Sequence, residues 1–222
     1  MERNKVIDNL RGIAFLLMVF QHIFYFYDMS GDYKTKYALN PIVDTAGTIS
    51  RVSFILLAGY MISYKNTTII KRAKRSGEIL LHALLITMIS YLLYPKYFIQ
   101  FGILHFLGIG TFLISFLTPY KFLSIIVLII SLFIQIPKIH PIIDTMTGTY
   151  SFFNTMDYFP LKTWMPLLLS GLILGQNTDL SIFKMLDFNN FITDIGKNSL
   201  NLYTLHVIIL LIFYKLLNKI MK

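Results

Sequence analysis

Cysteine is absent from the 222 residues, which excludes disulfides, thiolate metal sites and a cysteine nucleophile. Charge is scarce as well. Asp, Glu, Lys and Arg make up 14% of the chain, where soluble domains carry about 25%, and that is too little to cover a water-facing surface. The sequence has no low-complexity tract and no internal repeat of the transporter kind, and glycine and proline do not interrupt helices in matched halves. No basic face with stacking aromatics stands outside the apolar runs. The net charge of +9 and the pI near 9.6 therefore do not point to nucleic acid.

What remains is apolar. Hydrophobic residues form 55% of the chain and the mean hydropathy is +0.64. A helix crossing the hydrocarbon layer needs roughly 20 mostly apolar residues, and stretches near that length recur from one end to the other. They predict an all-α, polytopic membrane helix bundle of about seven (seven to eight) transmembrane helices. Residues 1–222 form a single integral-membrane domain in this reading, with the lipid bilayer as its first partner. The expected spans are 8–27, 46–64, 77–94, 99–117, 121–137, 162–176 and 199–217. Three of them, 46–64, 121–137 and 162–176, are short or interrupted, which suits tilted, half-buried or re-entrant segments. The run Gly12 to Tyr27 follows Arg3 and Lys5 as a signal peptide would. No small-x-small cleavage site comes after it, so it is read as a retained first span.

The linker from Tyr64 to Ser76 carries Lys65, Lys71, Arg72, Lys74 and Arg75 and is expected on the cytoplasmic side. Two spans back, the N-terminus with Arg3 and Lys5 falls on that same side. The linkers 28–45 and 138–161 hold Asp28, Asp32, Asp44, Asp144 and Asp157 and fall on the other. An odd number of crossings puts Lys215, Lys219 and Lys222 there too, against the rule. Either they are tolerated or a span is miscounted, with an extra helix in 138–161 as one remedy.

Ionisable groups inside spans are costly and serve as site candidates. Arg11 and His22 are eleven residues apart, close to three helical turns, so both project from one face with a rise between them of about 16 Å. That is comparable with an extended pantetheine arm. Asp8, one turn before Arg11, can orient its guanidinium, and Gly12 admits a close backbone or ligand. An acyl-CoA would set its phosphates at Arg11 and its thioester near His22. His22 would act as general base or take the acyl group covalently. The plain alternative is an Arg11 that snorkels to the interface and a His22 that is a polar residue near the opposite one.

The stretch from Asp8 to His22 resembles the Arg-x10-His motif in the first helix of transmembrane acyltransferases. That group includes the acyltransferase-3 family and the relatives of lysosomal heparan-α-glucosaminide N-acetyltransferase. The whole chain most resembles the short, single-domain members of the latter catalytic-domain family. Four further pieces carry the likeness in order: Phe54-Ile55-Leu56-Leu57-Ala58-Gly59-Tyr60, Phe101-Gly102-Ile103-Leu104-His105-Phe106-Leu107-Gly108, Asp157-Tyr158-Phe159-Pro160-Leu161 with Trp164, and Ser199-Leu200 with Tyr203 and His206. The resemblance implies acetyl-CoA as donor, reached from the cytosol, and an acceptor often reached from the other side. The acceptor would be a hydroxyl or amine of a small molecule, glycan or lipid-linked sugar. The chain is shorter than the larger members, so their glycosaminoglycan substrate is not carried over, and a homodimer is left open.

Within this frame His22, His105 and Asp157 are the catalytic candidates, and Arg11, Asp8 and Gly12 the donor-binding ones. His105 could line the acyl pocket, serve as a second acid/base, or bond a backbone carbonyl. Asp157 could orient a histidine, bind the acceptor, or cap a helix, and Pro160 suits a helix start. Glu78 and His82, four residues apart, look like a metal pair, but no second pair with zinc-like spacing exists, so no metal is expected. Tyr203 and His206 could close the site around His22 or glue two helices together. Lys71, Arg72, Lys74 and Arg75 could reach the CoA 3′-phosphate, although topology already accounts for them. Arg51 has no assigned role. A transporter with these polar residues along its path, or a non-catalytic membrane scaffold, is the competing reading.

Overall fold

The structure is a computed structural model that describes residues 5–30, 40–64, 67–135, 137–138, 140–149, 155–178 and 190–220. Arg3, Asp32, Lys65 and Lys222 lie outside the described residues. Nine helices form among those described: α1 (Lys5–Ser30), α2 (Pro41–Tyr64), α3 (Ile69–Leu93), α4 (Ile103–Ser115), α5 (Lys121–Phe133), α6 (Pro141–Thr147), α7 (Leu161–Asn177), α8 (Asn190–Lys197) and α9 (Ser199–Ile220). The expected all-α class holds. Among the described residues there is no strand, only a parallel bridge between Phe101 and Tyr158. Four of the helices are long and apolar enough to cross a membrane: Lys5–Asp28, Pro41–Ser63, Ile69–Leu93 and Ser199–Ile220. Helices α4 and α5 are apolar but shorter, each rising only about 20 Å against a hydrocarbon layer of about 30 Å.

Several expected boundaries move, each for a physical reason. The basic stretch read as a linker is the opening of α3. Thr68 caps that helix, its hydroxyl accepting from the Lys71 amide at 3.5 Å, and Lys and Arg are good helix formers. Hydropathy falls where the charge begins, but the helix does not end there. At its other end α3 stops at Leu93 because Pro95 disfavours the helical region for Tyr94, which sits at φ −138°. The span expected at 99–117 accordingly begins only at Ile103, with Gly102 as its N-cap. By contrast, the span judged short at 46–64 belongs to a continuous helix of 24 residues. A helix does form within 138–161, but α6 has 7 residues, about 10 Å at 1.5 Å per residue, too short to span. Helix α8 was not foreseen at all.

The described chain divides into two compact units, Met1–Phe54 with Leu180–Lys222, and Ile55–Asp179. In the first, α1 packs on α8 and α9. Ser50 donates to the Ala14 carbonyl at 2.7 Å and Gly47 lies against the Gln21 side chain, so the first half of α2 runs antiparallel to α1. Arg11 meets Ser199 while Tyr214 donates to the Ile23 carbonyl at 2.8 Å, so α1 and α9 run parallel. Between two helices that cross in the same direction the chain makes an odd number of crossings.

In the second unit α3 and α4 are antiparallel. Ser76 bonds Thr111 at 3.0 Å near one end, and Thr87 lies 3.3 Å from His105 near the other. Arg72 donates to the Ser115 carbonyl at 3.2 Å and to the Thr118 hydroxyl at 2.7 Å, satisfying the C-terminal end of α4 with a cation. The second half of α2 and α7 meet backbone to backbone. A Cβ on Gly59 would strike the Leu168 carbonyl, one on Gly171 the Leu56 carbonyl, and one on Gly175 the Ser63 hydroxyl. Gly171 and Gly175 form a GxxxG step facing Gly59 and Ser63, the small-residue contact that lets membrane helices approach closely. Gly77 in α3 has open space where its side chain would be. Gly77→Ala is therefore expected to stabilise the protein by about 0.5–1 kcal/mol through helix propensity alone, read as a raised Tm in detergent.

Candidate active site

Inside the first unit the candidate residues of α1 are fixed by α8 and α9. Asp8 is 3% exposed and Asn9 fully buried, which polar groups tolerate only when bonded. The Thr193 hydroxyl donates to the Asn9 side-chain oxygen. A Cβ on Gly12 would collide with the Ile192 carbonyl, and one on Gly196 with the Asp8 carbonyl. The space at Gly12 is thus taken by the backbone of α8. The guanidinium of Arg11 donates to Ser199 at 2.7 Å and lies 3.8 Å from the Asp8 carboxylate. These partners hold Arg11 at the start of α9.

Further along the same face, His22 Nδ1 lies 2.9 Å from His206 Nε2. The two ring planes differ by 14°. His206 Nδ1 is 3.2 Å from the Leu202 carbonyl of its own helix. Aromatic edges surround the pair: Phe26 and Tyr203 stand against His22, and Phe15 against His206. Of this set the sequence singled out His22, Tyr203 and His206. Ser199 stood in a quoted motif without a role, and Asn9 and Thr193 gave no signal. Arg51 donates to the Gly47 carbonyl at 3.1 Å and to Thr48 at 3.0 Å, with Asp44 3.7 Å away.

His105 and Asp157 come together in the second unit, at the start of α4. Asp157 accepts from the Ile103 amide at 3.0 Å, a carboxylate on a helix N-terminus whose first residues are buried. The capping that the sequence allowed for Asp157 is on α4, not on the helix that follows it. His105 Nδ1 accepts from the Gly102 amide at 3.3 Å. Thr87 donates its hydroxyl to the Ile99 carbonyl at 2.8 Å, so toward His105 Nε2, 3.3 Å away, it can only accept. His105 is then protonated on Nε2. Both ring nitrogens are engaged with its own helix start and with α3. Glu78 pairs with Arg75 at 3.0 Å, and no group of three metal-ligating side chains occurs among the described residues. Outside the apolar helices, Tyr158 donates to the Thr145 carbonyl at 2.8 Å, and burial raises its pKa above the ordinary phenol value.

Long apolar helices with an arginine and a histidine anchored on the face of the first define a helical integral membrane protein with a polar site inside its spans. The family described as heparan-alpha-glucosaminide N-acetyltransferase, catalytic, matches residues 3–208. The chain belongs to that family of membrane acetyltransferases. No curated protein and no solved structure matches it.

Proposed function

We propose that this protein moves an acetyl or short acyl group from cytosolic acyl-CoA to a hydroxyl or amine of a sugar or lipid-linked acceptor. The observation that carries the reading is the pairing of Arg11 and His22 on one face of α1, each held by a residue of α9. Three helical turns separate them, about 16 Å along the axis. A fixed guanidinium suits CoA phosphates, and a fixed imidazole suits the reacting thioester. His22 takes the proton of the acceptor group as that group bonds to the acyl carbon. The carbon–sulfur bond breaks, and the proton returns to the departing CoA thiolate. Nothing in the balance requires a metal. In this reading His105 and Asp157 shape the second unit by holding α4, and turnover runs through His22.

The same reading sets the start of α1 on the cytosolic side and assigns seven crossings, α1 to α5, α7 and α9. Their alternating directions agree with parallel α1 and α9. The test is acetyl-CoA binding by detergent-purified wild type and Arg11→Ala, by calorimetry. Losing charge-assisted bonds of about 1.5–3 kcal/mol is expected to weaken binding about 10–100-fold. A folded wild type that binds no acetyl-CoA would sink the reading, and an Arg11→Ala variant of unchanged affinity would remove Arg11 from the donor site.

A further inference from the structure

We infer that His206 is a positioning residue that fixes the tautomer of His22, leaving the base lone pair on His22 Nε2. The inference rests on the acyltransferase reading above for its catalytic consequence, and on hydrogen-bond direction alone for the tautomer.

The direction follows from a chain of three atoms. A backbone carbonyl can only accept, so His206 Nδ1, 3.2 Å from the Leu202 carbonyl, carries the hydrogen. A neutral imidazole has one N–H, and His206 Nε2 is therefore an acceptor. That nitrogen lies 2.9 Å from His22 Nδ1. Two lone pairs at that distance repel, so His22 Nδ1 donates. Its own Nε2 is then the unprotonated nitrogen. The geometry suits this direction: the planes lie within 14° and the ring centroids are 5.2 Å apart, so the rings meet edge to edge and the N–H lies near the plane of the accepting ring.

Both histidines thus hold the Nδ1–H form, whereas His105 holds Nε2–H. A carbonyl at position i−4 of a helix does for His206 what a carboxylate or carbonyl does for many catalytic histidines. When His22 Nε2 takes the acceptor's proton, the imidazolium still donates Nδ1–H to His206. The cation is then stabilised where it forms, without movement of either ring. Phe15, Phe26 and Tyr203 hold both rings from the sides, which limits competition by water for the bond between them. Loss of a tautomer-fixing partner while the base is retained has large consequences in other enzymes, up to about 10⁴-fold in kcat.

The experiment uses the full chain labelled with ¹⁵N-histidine, with His22→Ala and His206→Ala spectra to assign the two rings. Acetyl-CoA turnover, with water as acceptor, is measured alongside. Wild type is expected to show His22 and His206 protonated on Nδ1, with His105 protonated on Nε2 as the internal contrast. His206→Phe keeps a ring but cannot accept. It is expected to mix the His22 tautomers and to lower kcat by about 10²-fold or more, with KM for acetyl-CoA little changed. His206→Gln can accept through its side-chain carbonyl and is expected to recover most of kcat. If wild-type His22 is protonated on Nε2, or if His206→Phe leaves both the tautomer and kcat unchanged, the inference is wrong. Wild type that keeps the expected tautomers but shows no turnover dependent on His22 would overturn the acyltransferase reading and leave the tautomer assignment standing.

Discussion

In a His22→Ala variant, acetyl-CoA turnover is expected to fall by about 10²–10⁴-fold, the range that general acid–base groups contribute. Donor affinity should stay close to wild type. The two effects separate because the residues do. Arg11 is anchored by Ser199, near the start of α9, and His22 meets His206 two turns further along that helix. Removing the imidazole leaves Arg11 and its Ser199 bond untouched. It does leave His206 Nε2 without a donor, at a cost to stability of about 1–3 kcal/mol for a buried polar atom, so a lowered Tm is expected beside the lost turnover. Calorimetric binding and thiol release by the same preparation decide the matter. Wild-type turnover in the variant would remove His22 from the chemistry, whereas loss of binding and turnover together would point to a collapsed site.

The second large effect is expected from Gly196→Ala. The added Cβ would lie on the Asp8 backbone carbonyl, inside a helix whose main chain cannot rotate away. Overpacking costs about 1–3 kcal/mol where neighbours can yield, and a rigid carbonyl puts this site at the upper end of that range. Pushing α8 off α1 also strains the Asn9–Thr193 bond and moves Ser199, two residues after α8 ends, away from Arg11. Gly196→Ala is therefore expected to lower Tm and weaken acetyl-CoA binding together. Gly77→Ala, the same chemical change in open space, is expected to raise Tm and leave binding alone. If the two variants behaved alike, the close α1–α8 packing would not exist in solution.

Part of the site was legible because it is local. Helical geometry alone puts Arg11 and His22 on one face and Asp8 one turn from Arg11, and the ion pair of Asp8 with Arg11 is found. Tyr203 and His206 were likewise marked as one face. That they close around His22 was one of two readings the sequence left open, since His22 and His206 are 184 positions apart and no periodicity measures that separation. Helix α8 escaped notice because Asn190, Thr193, Asp194 and Lys197 break the apolar pattern by which the other helices were found. Its stability comes from packing on α1, a tertiary cause. His105 and Asp157 stood out as ionisable residues in an apolar region. Their bonds to the Gly102 and Ile103 amides depend on where α3 stops and on the return of the chain past Phe101.

The sequence by itself determined that this is a helical membrane protein, because its charged residues are only 14% of the chain and its apolar runs are continuous over about 20 residues, the length at which a helix satisfies its own backbone in lipid, and not the short alternating strands of a barrel. It also determined the family, through short motifs in a fixed order, and the face of α1 that carries Arg11 and His22. The tertiary structure decided what those residues touch. It set α9 parallel to α1, brought Ser199 to Arg11 and His206 to His22, and placed the backbone of α8 against Gly12. Side-chain spacing within one helix follows from its repeat, whereas contacts between helices follow from close packing of small residues and from hydrogen bonds across long sequence separations.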